Sequence, residues 1–516
     1  MIHPYSYYLA RAARRWPDKV AVRDGDVALT YADLDRRVSR LAAGLRALGL
    51  GRGERAAIIQ ENGHRYVEAV CAVARAGGVL VPLLGVLTEQ DHSAMVAGAG
   101  ARLVIALSPE GARRAERLAG AGRELVIVAP GSAEHDYERL VAQHPAEDPC
   151  LDGDPDDLAQ ILYTSGTTGQ PKGVMHSLRS TAAGMGAWVG ALGLSHDDRL
   201  LGHFALSHFG GRVMDASWCT GATLVILPRP DPEAILATIA EHRITILLMV
   251  PTLMQMVLDH PALAGHDLES LRVVLYAAAP ASPTLVRRAL AAFGPILVTG
   301  FGQTEAYGLN TMLSAAEHHA ALAAGGARLA SIGREADAWV QVQLLGRDGA
   351  PVARGEVGEI CVSAPWVMKG YWQRPELTER TLARGWLHTR DLGRQDEDGY
   401  FYLVDRSEDM IISGGHNVAP REVEDAVAAL PGVQACCVVG VPDPKWGEAV
   451  TAVVVAEGVD AAQVIAHCKA RLAPFKVPKR VEFVAALPKS GVGKILRRAV
   501  RERFWADEER RIHGAE

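Results

Sequence analysis

From about residue 30 to residue 300 the chain alternates short apolar, β-branched runs with longer Ala/Leu/Arg stretches at helical spacing. The helical pattern YADLDRRVSRLAAGL (31–45) followed by the strand pattern RAAIIQ (55–60) is one instance. Strands separated by helices pair in parallel through helical crossovers, so the alternation predicts βαβ units and a largely parallel sheet. Further strands are predicted at 78–83, 102–107, 125–128, 222–227 and 244–250. A sheet covered by helices on both faces binds its ligand at the carboxyl ends of its strands.

The 516 residues exceed what a single hydrophobic core serves, and the texture changes twice further on. From 330 to 405, Gly-punctuated segments such as WVQVQLLGRDGAPV and GEVGEICV predict a small β-barrel-like subdomain. After Asp405, helical patterns at 419–430 and 460–472 alternate with strands at 435–441, 451–458 and 480–487. The fold class is therefore α/β, with a large N-terminal domain over 1–405 that includes the β-rich part, then a small α+β domain over 406–516.

With 54 basic against 60 acidic residues the net charge is −6, which gives no general footprint for a polyanion and speaks against a nucleic-acid binder. Seven scattered cysteines without C-x-x-C spacing fit a reducing cytoplasm. No run of 18 apolar residues and no signal-type N-terminus predict a chain with no stable membrane anchor.

The strongest local signal is the segment from Gln160 to Val174, QILYTSGTTGQPKGV. An apolar strand runs into a loop holding Thr164, Ser165, Gly166, Thr167, Thr168, Gly169 and Lys172. Exposed backbone N–H groups, hydroxyls and an ammonium in one loop suit a polyphosphate. It is not a Walker loop, because no glycine stands directly before Lys172 and Gly173, rather than Ser or Thr, follows it.

YTSGTTGQPKGV resembles the phosphate-binding signature of the adenylate-forming superfamily, which contains acyl-CoA synthetases, stand-alone adenylation domains and beetle luciferases. Four more segments resemble that family's signatures in order. In Gly300-Phe301-Gly302-Gln303-Thr304-Glu305 the resemblance implies that Phe301 stacks on adenine, Thr304 meets the α-phosphate and Glu305 holds Mg2+. GWLHTRDLG (385–393) resembles the ribose-binding segment, with Asp391 accepting from the ribose hydroxyls and Arg406 accompanying it. In the segment from Asp409 to Glu424, Gly414 and Gly415 would let a pantetheine chain pass, while His416 stands where the family more often has Glu. By position Glu408 is either the hinge of the small domain or an ordinary linker glutamate. LPKSGVGKILRR (487–498) resembles the segment carrying the catalytic lysine, here Lys494. Ala277, Ala278, Ala279 and Pro280 correspond to a segment beside the adenine and the acyl group, with alanines where the family often has glycines.

The resemblance spans Leu29 to Arg498 and implies a two-step reaction in which a carboxylate and Mg·ATP give an acyl-adenylate, after which a thiol displaces AMP. A small domain that rotates between the steps is part of the same expectation. The segment from Val441 to Glu448 resembles the part of acyl-CoA synthetases that places Trp446 near the CoA entrance; a partly buried surface tryptophan is the alternative. Only 18 residues follow Arg498, too few for a carrier-protein domain, so free coenzyme A is the expected acceptor. His208 is implied to be a gate between acyl pocket and thiol tunnel, or else a core histidine. Phe209, Met214, Trp218, Tyr276, Phe301 and the Tyr307-Gly308-Leu309 stretch are mostly apolar and predict a hydrophobic acid. Arg212 would pair with a polar substituent or, the favoured reading, snorkel to the surface.

These readings predict a cytoplasmic, ATP- and Mg2+-dependent acid–CoA ligase for a hydrophobic small-molecule carboxylic acid, fatty rather than aromatic, in a chain that could form a homodimer. A benzoate- or cinnamate-type ligase, an enzyme loading an acyl carrier protein and, remotely, a luciferase-like oxygenase are the alternatives. A non-catalytic homologue would lack Lys494, Glu305 or Asp391, and all three are present.

Overall fold

A computed structural model describes residues 3–119, 125–164, 171–207, 209–279, 281–346, 348–406, 409–413, 416–443, 446–489 and 495–505. Two large mixed sheets dominate it. The first has seven strands in the order Gly370–Tyr371, Lys172–Ser177, Leu158–Thr164, Val79–Leu84, Arg55–Gln60, Leu103–Ile105 and Val126–Val128. The second has nine, in the order Arg334–Glu335, Ala306–Leu313, Leu297–Gln303, Val273–Tyr276, Ile246–Met249, Arg199–Gly202, Thr223–Ile226, Val20–Asp24 and Val27–Thr30.

Central strands of both sheets pair in parallel, as the alternation of strand and helix requires. They read as continuous apolar runs because both of their faces are covered; Ala56 to Ile59 are all buried. Two departures from parallel pairing lie where signatures are. Leu158–Thr164 pairs antiparallel with Lys172–Ser177, and Leu297–Gln303 turns back as the antiparallel Ala306–Leu313. The first signature thus lies between two antiparallel strands, and the second is the bend of a hairpin.

The β-rich part contains an antiparallel sheet of Gln341–Leu345, Gly358–Ser363, Trp386–Gln395 and Leu382–Ala383, with Phe401–Arg406 paired to Trp386–Gln395. It is not self-contained, for Arg334–Glu335 extends the nine-stranded sheet and Gly370–Tyr371 extends the seven-stranded one. The last sheet orders His416–Val418, Ile411–Ser413, Gly447–Ala456 and Val433–Asp443, with Arg480–Phe483 parallel to Gly447–Ala456. Helices Pro420–Ala428 and Ala461–Lys469 contribute to its apolar cluster of Val423, Val427, Val438, Val450 and Val464. Among the described residues no helix is long and apolar enough to cross a membrane.

Candidate active site

The segment Trp366–Trp372 ties the two signature hairpins together. Its backbone accepts from Tyr307 N at Trp366 O (2.9 Å) and donates from Met368 N to Glu305 O (2.8 Å) on the nine-stranded side. Toward the seven-stranded side Lys369 N donates to Met175 O (2.8 Å) and Trp372 N to Gly173 O (2.7 Å). Four backbone bonds in seven residues fix the bend after Thr304 relative to the strand Lys172–Ser177.

Side chains continue the link. Tyr371 Oη donates to Glu305 Oε1 at 2.8 Å, and Lys172 Nζ lies 5.9 Å from the centre of the Tyr371 ring. Burial, reinforced by the Glu305 charge, pushes the Tyr371 phenol well above its ordinary pKa, so it stays a donor to that carboxylate. Lys172 pairs across the hairpin with Thr164; Ser165, Gly166, Thr167, Thr168 and Gly169 lie outside the described residues.

Behind Thr304 stands His176, fully buried on Lys172–Ser177. Burial, with Arg212 nearby, lowers its pKa from 6.5 to about 3, so the ring is neutral and Nε2–H donates to Thr304 O at 2.8 Å. Gly300 is demanded by packing, since a Cβ there would come within 2.2 Å of Thr311 O on the returning strand. Phe301 is buried, Gly302 has room beside it, and Gln303 pairs with Ala306 to close the hairpin. Ala277 N donates to Met249 O, and Ala278 has φ +70°, a backbone region unusual for a residue with a Cβ. Pro280 is outside the described residues.

Asp391 is 8% exposed and pairs across the sheet with Arg406. The strand bulges there. Thr389 Oγ1 donates to Ile360 O (2.6 Å) and accepts from Asp391 N (3.1 Å), while Arg390 N donates to Glu359 Oε1 (2.8 Å). Such bulges re-aim side chains, and this one, between His388 and Leu392, includes Asp391.

Other expected residues fall apart from this constellation or outside the description. Lys494, His208, Glu408, Gly414 and Gly415 are outside the described residues, and Phe209 opens the helix Phe209–Thr220. Trp446 donates its backbone N–H to Asp443 Oδ1 (3.0 Å), and Lys479 Nζ lies 5.3 Å from its ring. Met214 lines two small cavities. Tyr276 lines neither; its hydroxyl bonds His318 Nε2 at 2.8 Å within a separate apolar cluster. A Cβ on Gly308 would strike the Trp366 ring at 2.8 Å, so that face is filled by tryptophan.

One reading is corrected. Arg212 does not snorkel to the surface: it is 8% exposed, with its guanidinium 4.1 Å from the centre of the Tyr307 ring. Sequence reasoning also missed Tyr5, His176, Asp215 and Tyr371. An unusual aspartate one turn after Arg212 was the available signal for Asp215; Tyr5, His176 and Tyr371 carried none.

The AMP-binding enzyme family model matches residues 9–372, and the model of the AMP-binding enzyme C-terminal domain matches 422–494. A feruloyl-CoA synthase of an Amycolatopsis species is 42% identical over 502 residues, covering 96% of this chain and 98% of that protein. The medium/long-chain-fatty-acid–CoA ligase FadD8 of Mycobacterium tuberculosis is 37% identical, covering 97% and 90%. Among solved structures, the amide bond synthetase McbA of Marinactinospora thermotolerans superposes with a TM-score of 0.88 at 33% identity, covering 97% of this chain and 100% of that one. With a family model over most of its length and relatives matched nearly end to end, the chain belongs to the AMP-binding enzymes, as a member of the adenylate-forming superfamily related to acyl-CoA ligases.

Proposed function

We propose that the chain joins a hydrophobic monocarboxylic acid to coenzyme A through an acyl-adenylate. The observation that carries this reading is the Lys172–Tyr371–Glu305 contact, which brings a phosphate-type ammonium and a metal-type carboxylate to one tyrosine side chain. In the first step the acid's carboxylate oxygen bonds to the α-phosphorus of ATP and pyrophosphate leaves. Lys172 and the loop before it hold the outgoing phosphates, Thr304 the α-phosphate, Phe301 the adenine and Asp391 the ribose. Glu305 is the residue that would hold Mg2+, whose charge offsets that of the phosphates. Lys494 bridges the carboxylate and the α-phosphate. In the second step the thiolate of coenzyme A attacks the acyl carbon and AMP leaves, past Gly414, Gly415 and Trp446.

Lys494 serves one step and the thiol needs its place in the other, so the segment after Asp405 turns about Glu408 between them. The test is AMP formation from ATP across fatty and aromatic acids, with and without coenzyme A. Lys494→Ala should abolish adenylate formation and leave thioester formation from a supplied acyl-adenylate within about threefold. Pyrophosphate release with no dependence on coenzyme A in the unmodified protein would point to a different acceptor. An aromatic acid is the second reading of the substrate, supported by the feruloyl-CoA synthases' higher identity relative to FadD8.

A further inference from the structure

A polar cluster next to the second hairpin is left unused by the reaction above. Asp215, on the helix Phe209–Thr220, is 4% exposed, and its Oδ2 accepts from Tyr5 Oη (2.8 Å) and from Tyr307 Oη. The two phenol oxygens are 2.6 Å apart, and Gln160 Nε2 donates to Tyr5 Oη at 3.3 Å. Arg212 lies over the Tyr307 ring. The first helix, Pro4–Arg15, thus meets two sheets and a core helix at one carboxylate. Burial pushes that carboxyl up to about 7 even against its phenol donors and Arg212, a sign of how little solvent reaches it.

These groups do not merely fill space. With Ser207 they form the polar wall of a cavity of about 20 Å³. One water needs roughly 10–15 Å³ and two to four polar partners, so the cavity is sized and lined for a single oxygen group. It also sits close to the chemistry. Tyr307 follows Glu305 by two residues, about 7 Å along the chain, and its ring meets His176, the residue bonded to Thr304, at 5.2 Å between centroids. Ser207 and Gly211 flank the His208 position, and Met214 lines both this cavity and an apolar neighbour lined by Leu248 and Phe204.

We propose that the cavity is the far end of the acid-binding pocket and receives a hydroxyl group carried by the substrate opposite its carboxylate. The proposal rests on the acid–CoA ligase reading. The hydroxyl donates to Asp215 and accepts from Gln160 or Arg212, taking the place of a water. A methyl in that position displaces the water and returns none of its hydrogen bonds, which is how a polar site rejects an apolar analogue.

The test uses the full chain and acids that differ only in the distal hydroxyl: 4-hydroxycinnamate against cinnamate, and 16-hydroxyhexadecanoate against hexadecanoate. The two pairs separate a ring-borne from a chain-borne hydroxyl. In at least one pair the hydroxylated acid should have a kcat/KM about 10- to 100-fold higher. Tyr307→Phe and Asp215→Asn should reduce that ratio to within about threefold of unity. Equal use of both members in each pair by the unmodified protein, or ratios untouched in the variants, overturns the proposal and makes the cavity a structural water site. Because plain acids would still release pyrophosphate in that event, failure here is distinct from failure of the ligase reading, which would show as no pyrophosphate with any acid. Should the variants not fold, the comparison of acid pairs in the unmodified protein decides alone.

Discussion

Replacing His176 with Phe tests whether the buried imidazole holds the Thr304–Glu305 bend in place. Phe keeps most of the ring's volume and its edge contact with Tyr307, so packing changes little. What is lost is the 2.8 Å bond to Thr304 O and the contact of Nδ1 with Ser180 Oγ at 3.3 Å. A carbonyl left buried without a donor costs about 1–3 kcal/mol. The bend recovers part of that by tipping Thr304 O toward solvent, which moves Thr304 and Glu305 away from their settings. A displacement of about 1 Å costs up to roughly 100-fold in rate. The expected result is a kcat for pyrophosphate release 10- to 100-fold lower with a raised KM for Mg·ATP. Thioester formation from a supplied acyl-adenylate should change by less than about threefold, because the departing pyrophosphate takes no part in it. His176→Gln keeps an N–H donor and should regain most of the lost rate. Equal impairment of the Phe and Gln variants, or equal loss of both half-reactions, refutes the claim that this hydrogen bond positions the bend.

Gly184→Ala would put a Cβ 2.5–3.0 Å from Tyr307 atoms where helix Leu178–Leu192 crosses the strand Ala306–Leu313. Overpacking of about 1–3 kcal/mol set against a helix-propensity gain near 1 kcal/mol predicts net destabilisation of up to about 2 kcal/mol, read from urea midpoints; a raised midpoint means the helix can slide. Stability should also respond to pH in two opposed ways. His176, at about 3, and His3 and His203, at about 4, are lowered by burial from 6.5, so their contribution is whole above pH 6.5 and is lost as pH falls toward 3. Asp215 is raised from 3.8 to about 7, so it costs nothing below pH 3.8 and progressively more as pH rises through 7. Melting curves of Asp215→Asn against the unmodified protein should therefore diverge in the variant's favour between pH 4 and pH 8, and a constant offset would contradict the sign.

How far the sequence could be read follows from the range of each interaction. RAAIIQ was legible as a strand over 55–60 because a central parallel strand buries both faces and writes that burial as an unbroken apolar run. The phosphate loop was legible because its chemistry sits in consecutive residues. Its return as the antiparallel strand Lys172–Ser177 was not, since KGVMHS carries neither strict alternation nor a tight-turn pair. At 480–487 the strand stops at Phe483, its parallel pairing with Gly447–Ala456 running only from Thr451 to Val454. The hydrogen bond between Tyr276 and His318, 42 residues apart, had no local signal either.

The Tyr5–Asp215–Tyr307 cluster was illegible for a different reason: its members lie 210 and 92 residues apart, and no local spacing connects them. Packing alone does not account for it. A buried carboxylate and its donors are commonly replaced by apolar residues of similar volume with no loss, or with a gain, in stability. Two phenols, an amide and a guanidinium around one aspartate are therefore a costly way to fill a core, and the cavity they enclose forgoes the contacts of close packing as well. The cluster stands adjacent to the bend that carries Thr304 and Glu305, where a substrate group would benefit from the polar surface. If stability were all that this cluster served, Tyr5→Phe and Tyr307→Phe together with Asp215→Leu should stabilise the fold and leave the choice between hydroxylated and plain acids unchanged. The reading advanced here requires the opposite of the second outcome while accepting the first.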